Sequence, residues 1–203
     1  MLLVGLTGGL GAGKSTVARM LSERGAVVVD ADELSRRALE PGSRAYGQVC
    51  DLFGDGVITP SGELDRRAIA AQVFADDAKR RTLESIVHPE VFRMLAETVE
   101  ARRGTDDVIV FDAPLIVETG FHEACDVVVV VSASEDQQVA RAARDRGMTE
   151  EEARARIRAQ LPAAEREAVA DVLVRNDGDL AHLEGRVEAL WSDLRARAAA
   201  GDG

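Results

Sequence analysis

The sequence has no excess of basic charge: its 203 residues carry 25 Lys and Arg against 36 Asp and Glu, a formal net charge of −11. General binding to nucleic acid or to an anionic membrane surface requires a basic face, so neither is expected. An anionic ligand has to be held by a local cluster of cations and backbone N–H groups. Cysteine is scarce too. Cys50 and Cys125 lie far apart and match neither a metal-ligand nor a redox spacing, which reads as two free thiols in a reducing compartment. The N-terminus lacks a basic segment followed by an apolar one, its apolar run breaks at Gly5, and no stretch approaches membrane-spanning length. A cytosolic location is expected. Repeats and low-complexity segments are missing, as is the Asn-Lys-x-Asp sequence through which GTP-binding switches usually read guanine.

What remains is ordinary globular composition, 46% hydrophobic and 30% charged, in a length that suits one domain with a small insertion. Residues 2–6 read as a buried strand, and 14–24 have helical periodicity that stops at Gly25. Residues 26–30 read as a second strand, followed by a helix that ends before Pro41. Strand, Gly-rich turn, helix and strand in so short a span indicate a βαβ unit and a parallel sheet. Further apolar, β-branched runs at 108–111, 127–131 and 171–174 lack polar alternation, as strands covered on both faces do. The stretch between the second and third strands reads as helical, with Asp65 and Asp76 as N-caps and Pro89 in a first helical turn, so that His88 falls at a helix junction. A second helical stretch, rich in arginine, has the composition of a mobile cover. Residues 180–199 read as an amphipathic closing helix, on which Trp191 serves packing.

Gly8-x-x-x-x-Gly13-Lys14-Ser15 follows a strand and opens a helix, the context in which this spacing forms a phosphate-binding loop. Backbone N–H groups of Gly11, Ala12, Gly13, Lys14, Ser15 and Thr16 can wrap a phosphate, helped by the helix N-terminus. Lys14 is expected to bridge β- and γ-phosphates, and the Ser15 hydroxyl to help hold Mg²⁺. Asp112, after the third strand, has the position of the aspartate that orients Mg²⁺ or its water shell. Asp30 and Asp32 close the second strand, where a carboxylate can take the proton of an attacking hydroxyl or cap the next helix. Asp32 favours the first role; for Asp30 the two stay open. Among Arg141, Arg144, Arg146, Arg154, Arg156 and Arg158, most are expected on a solvated face with acidic partners. Arg141 is the exception, because the helix after the fourth strand should bring it over the nucleotide.

With these residues in hand, the chain resembles the dephospho-coenzyme A kinases nearly end to end. The resemblance rests on an ordered set: GLTGGLGAGKS, DADELSRR, ELDRRAIAAQVFAD, LESIVHPEV, DAPLIVETG, CDVVVVV, RIRAQ and VLVRNDG. It implies a P-loop fold, a three-layer α/β/α arrangement with a parallel sheet of about five strands. Residues 1–43, 104–133 and 167–203 would form the nucleotide-binding core, 44–103 a helical acceptor-binding insertion and 134–166 a helical lid. The implied reaction transfers the γ-phosphoryl group of ATP to the 3′-hydroxyl of the dephospho-CoA ribose, giving CoA and ADP. Carried over residue by residue, residues 11–16 bind ATP, Asp32 is the base and Arg141 the lid arginine, with Arg144 and Arg146 competing for a second. Leu64, Asp65, Arg66, His88 and Pro114 fall in acceptor motifs, and Asn176 and Gly178 lie in the RNDG segment beside adenine. ATP and dephospho-CoA are the implied partners, and a monomer is expected, with a homo-oligomer open. The rival reading is another small-molecule kinase with the same phosphate loop, acting on a nucleoside monophosphate or on shikimate.

Overall fold

A computed structural model describes residues 1–200. Its elements run β1 (Leu2–Gly8), α1 (Lys14–Glu23), β2 (Val27–Asp30), α2 (Ala31–Ala38), α3 (Arg44–Phe53), α4 (Arg66–Ala75), α5 (Asp77–Glu100), β3 (Val108–Asp112), β4 (Val127–Ser132), α6 (Glu135–Arg146), α7 (Glu150–Arg158), α8 (Ala163–Ala168), β5 (Val172–Arg175) and α9 (Leu180–Ala199). The five strands lie in one sheet, in the order β2-β3-β1-β4-β5. β1 pairs in parallel with both β3 and β4, and β4 pairs in parallel with β5. The fold is α/β, with every residue of β1, β3 and β4 buried. That is why these strands read as unbroken apolar runs rather than as alternating ones.

The chain divides into two compact units, Met1–Val29 with Arg102 onward, and Asp30–Ala101. In the first, Leu2, Val4, Leu6, Val108, Val110, Val127, Val129 and Val131 turn to one face of the sheet. There they meet Val17 and Leu21 of α1 and Leu183, Val187, Leu190 and Leu194 of α9. The spacing of those four α9 residues places them on one stripe. The other side chains of the central strands, Leu3, Ile109, Phe111, Val128 and Val130, are buried as well.

The second unit is helical. Val49, Phe53, Val57, Leu64 and Ile69 form its core. Asp65 caps α4, its carboxylate accepting from Arg67 N at 2.9 Å and Ala68 N at 3.1 Å. Asp76 caps α5 in the same way. One expectation is overturned here. No junction occurs at His88-Pro89: α5 runs without a break from Asp77 to Glu100 with Pro89 inside it. A proline removes one helical N–H and crowds the preceding turn, a local penalty. Burial of Val87, Val91 and Leu95 along one stripe of the same helix outweighs it.

Candidate functional site: a phosphate loop braced from three sides

β1 delivers the chain into residues 9–13, and α1 starts at Lys14. Two glycines there are required by geometry. Gly11 has φ 69° and Gly13 φ 99°, the left-handed region that only glycine enters freely. A Cβ on Gly11 would lie 2.5 Å from the Gln138 carbonyl oxygen, and one on Gly13 would collide with the Asn176 amide. Gly13 caps α1 with no side-chain hydrogen bond, whereas α2, α4 and α5 are capped by Asp30, Asp65 and Asp76. The first N–H groups of α1 are thus left for another acceptor, at the positive end of the helix dipole. Not all of the loop N–H groups are available. Ala12 N donates to Gly9 O at 3.1 Å and Thr16 N to Gly13 O at 3.0 Å.

Lys14 Nζ donates to the Asp112 carboxylate, so the loop lysine and the aspartate that ends β3 occupy one place. The pairing follows from sheet order. β1 lies directly beside β3 with Leu6 opposite Asp112, and this carries the end of β3 to the loop. Both side chains are largely buried, 18% and 8% exposed, which strengthens the attraction relative to a surface pair. Behind them Thr7 Oγ1, fully buried, donates to the Pro114 carbonyl at 3.1 Å. Pro114 itself is half-buried.

A second brace comes from α6 and the segment after β5. Arg141 Nη1 donates to the carbonyls of Gly11 at 3.3 Å and Ala12 at 3.4 Å. Its Nη2 donates to Asn176 O at 2.8 Å and to Gln137 Oε1 at 3.1 Å. All four acceptors are neutral, so these bonds position the guanidinium without cancelling its charge. Asn176, 6% exposed, donates from Nδ2 to Ala12 O at 2.8 Å, committing its side chain to the loop. Next to it, Asp177 accepts from Ser134 N at 2.7 Å, tying the RNDG segment to the start of α6. Gly178 has the His182 ring within 3.0 Å of where a Cβ would be.

The third brace was not foreseen from sequence. Gln160 Oε1 accepts from Leu10 N at 3.0 Å, and buried Gln138 and Arg166 lie beside Gly9. Leu10 itself packs with Val139, Ala142 and Ala153, so α6 and α7 rest on the loop through an apolar contact. Of the other arginines, Arg144 pairs with its neighbour Asp145, and Arg154 with Glu135, Asp136 and Glu150. Both fit the solvated-face expectation.

The remaining predicted residues lie in the second unit. Asp30 is the N-cap of α2, accepting from Asp32 N at 2.7 Å and Glu33 N at 3.1 Å. Of the two roles open to Asp30, this is the cap. It also leaves the carboxylate of Asp32 exposed in the first turn, not used as the cap. Leu64 is buried and Asp65 caps α4, so both have structural employment; Arg66, the first residue of α4, is exposed. His88 is half-buried with its ring 6.2 Å from that of Phe92. Among the described residues, no three His, Cys, Asp or Glu side chains group as metal ligands, and no helix is long and apolar enough to cross a membrane.

Comparison with known proteins gives a consistent result. Residues 2–182 match the family model described as dephospho-CoA kinase. The dephospho-CoA kinase of Thermobifida fusca is 46% identical over 198 residues, covering 97% of this chain and 98% of the relative. That of Streptomyces avermitilis is also 46% identical, over 98% of this chain and 96% of its own. A crystal structure of a Thermus thermophilus protein superposes with TM-score 0.81 at 35% identity, covering 95% of this chain and 97% of that one.

Proposed function

We propose a role for each residue of the site from one premise: this chain belongs to the dephospho-CoA kinase family. The activity is ATP-dependent phosphorylation of dephospho-CoA. The γ-phosphoryl group passes to the 3′-hydroxyl of the acceptor ribose, and ADP and CoA leave. The observation that carries the assignment of roles is the Lys14–Asp112 pair, set at the mouth of a loop whose helix has no side-chain cap.

In this reading the uncapped N-terminus of α1 and the loop glycines take the inner phosphates, and Lys14 exchanges Asp112 for the β- and γ-phosphate oxygens. Ser15, exposed in the first turn of α1, and Asp112 offer hard oxygen donors, and Asp112 already faces a cation in Lys14. The pair fits Mg²⁺ of the kind that completes its shell with phosphate and water. When bound with the nucleotide, Mg²⁺ would supply neutralisation of phosphate charge. Arg141, its charge uncompensated by the carbonyls that hold it, stabilises negative charge on the phosphoryl group in transit. A ribose hydroxyl is a weak acid and a poor nucleophile, so transfer needs a carboxylate within hydrogen-bond reach of its proton. Asp32 is that base. Its oxygen takes the proton as the acceptor oxygen forms its bond to phosphorus and the bond from phosphorus to the β–γ bridging oxygen breaks. Residues 44–103 supply the acceptor contacts, with Arg66 and His88 the available polar side chains, and residues 134–166 act as the lid that excludes water. Asn176 supports ATP by holding the loop.

A coupled ADP-release assay with dephospho-CoA, AMP and shikimate tests the substrate. Turnover is expected with dephospho-CoA and Mg²⁺ alone among the three; ADP release with AMP or shikimate, and none with dephospho-CoA, would reassign the acceptor.

A further inference from the structure

Arg166 is the most conspicuous cation that the roles above leave unused. It sits on α8, 5% exposed, beside Gly9, whereas Asn176 and Arg141 border Gly13. A guanidinium carries five N–H donors and cannot discharge by losing a proton. Here Nη2 donates to Leu161 O at 3.0 Å and lies 3.9 Å from Glu118 Oε1, too long for a hydrogen bond. Nε is buried and has no partner. Nη1 lies 3.3 Å from the point where a Cβ of Gly9 would be, against the bare backbone of the loop. A buried charge held only to cap Leu161 would be a poor solution, since a neutral donor would do the same with less desolvation.

The surroundings say what the free donors suit. The walls at this edge of the loop are Gln138 and Gln160, both neutral, and Gln160 spends its oxygen on Leu10 N. Glu118 lies on the connection that follows Asp112 and Pro114, so its carboxylate comes from the same strand end that supplies the partner of Lys14. The loop's last residues and α1 take the inner phosphates in the reading above. Its first residues, Gly9 and Leu10, are the ones that Arg166, Gln138 and Gln160 border.

We infer that Arg166 is a third cationic contact of the reaction, its Nη1 donating to an oxygen of the terminal phosphoryl group of ATP. Glu118, held too loosely to satisfy the guanidinium, is the carboxylate it leaves when a phosphoryl oxygen offers a shorter, charge-assisted bond. The guanidinium keeps its charge when buried and directs its N–H along a fixed line, which a lysine replaces only in part. The inference rests on the kinase reading for the identity of the nucleotide. It goes beyond that reading in making this site the one that distinguishes ATP from ADP.

The test compares affinities for ADP and for the non-hydrolysable analogue AMP-PNP, by calorimetry with Mg²⁺ on the full chain, in wild type, Arg166→Gln and Arg166→Lys. Arg166→Gln is expected to weaken AMP-PNP by about 10- to 100-fold, the scale of a lost charged hydrogen bond, while ADP stays within about twofold. Turnover should fall by at least the same factor, and Arg166→Lys should recover part of both. Equal losses for ADP and AMP-PNP, or a lowered Tm with both affinities kept, would make Arg166 a brace of the loop and overturn the inference. If Arg166→Gln does not fold, Arg166→Lys decides alone: an AMP-PNP to ADP affinity ratio equal to wild type overturns the inference, and a ratio several-fold lower supports it. Wild-type turnover of dephospho-CoA in the same assay tests the kinase reading separately, since the nucleotide ratio does not depend on the acceptor.

Discussion

The unit that carries the phosphate loop and the unit of residues 30–101 bond their polar groups over different distances along the chain. In the first, Asn176 reaches Ala12 across 164 residues, Arg141 reaches Gly11 across 130 and Lys14 reaches Asp112 across 98. In the second, Asp30, Asp65 and Asp76 each cap the helix they begin. Arg80 and Arg93 pair with carboxylates three or four residues away on their own helix. The first arrangement holds the glycine loop in one shape ahead of the anion, which is what electrostatic catalysis requires. In the second, Tyr46 Oη donates to Gly62 O and Lys79 Nζ to Gln72 Oε1, still near one another along the chain, and apolar packing of Val49, Phe53, Val57, Leu64 and Ile69 supplies the core. Helix capping marks the same difference. In residues 30–101 the first turns of α2, α4 and α5 are closed by aspartates and that of α3 by Ser43, while α1 has no side-chain cap.

The largest expected effect concerns Asp32. Asp32→Asn should lower kcat by about 10³-fold with ATP affinity retained, because it removes only the proton acceptor. Asp30→Asn, which keeps a capping oxygen, should stay within a few-fold of wild type by the same logic. Steady-state kinetics on the two variants separates base from cap, and equal losses would remove Asp32 as the base. Arg141→Ala follows, with kcat expected to fall by about 10²-fold and to fall by more than ATP binding does. An unchanged kcat would return Arg141 to a structural role.

Smaller effects separate long-range bracing from local capping. Asn176→Ala leaves the Ala12 carbonyl short of a partner, with about 1–3 kcal/mol of stability lost in denaturant unfolding. Its KM for ATP should rise as well, because the loop loses its shape. Asp65→Ala should lose about 1 kcal/mol through the helix cap alone, with KM for ATP unchanged. A matching rise in KM for ATP in both variants would break the comparison. The smallest effect concerns Cys125, which burial, with Asp126 nearby adding to it, pushes from 9.0 up to about 12. The unfolded thiol ionises first. Any contribution of this group to stability is therefore whole below pH 9 and lost as pH rises toward 12. Iodoacetamide labelling at pH 9 should be far slower for Cys125 in the native chain than in the denatured one.

Much of this was visible residue by residue. Strands expected at 108–111 and 127–131 occupy Val108–Asp112 and Val127–Ser132, and the closing helix spans Leu180–Ala199 as its periodicity indicates. Asp65 and Asp76 cap as expected, since capping depends on a few adjacent residues. Pro89 misled for the same reason. Its local cost is plain in the sequence, but the burial that outweighs it involves packing partners that no window around it contains. Gln138 and Arg166 gave no local sign at all, and Gln160 stood only as the last residue of RIRAQ, with no role attached. Arg166 stands in an arginine-rich stretch where Arg144 and Arg154 pair with acidic residues, and composition does not single out the buried one.

By itself the sequence determined the phosphate loop, the buried strands and the family, because each depends on residue type at fixed short spacing. Only the tertiary structure decided that Asp30 takes the cap and leaves Asp32 free, that Lys14 meets Asp112, and that Asn176, Arg141 and Arg166 converge on the loop. The strand order β2-β3-β1-β4-β5 seats β1 between β3 and β4 and so draws distant segments to the ends of neighbouring strands. That convergence is a property of the sheet, and no stretch of sequence contains it.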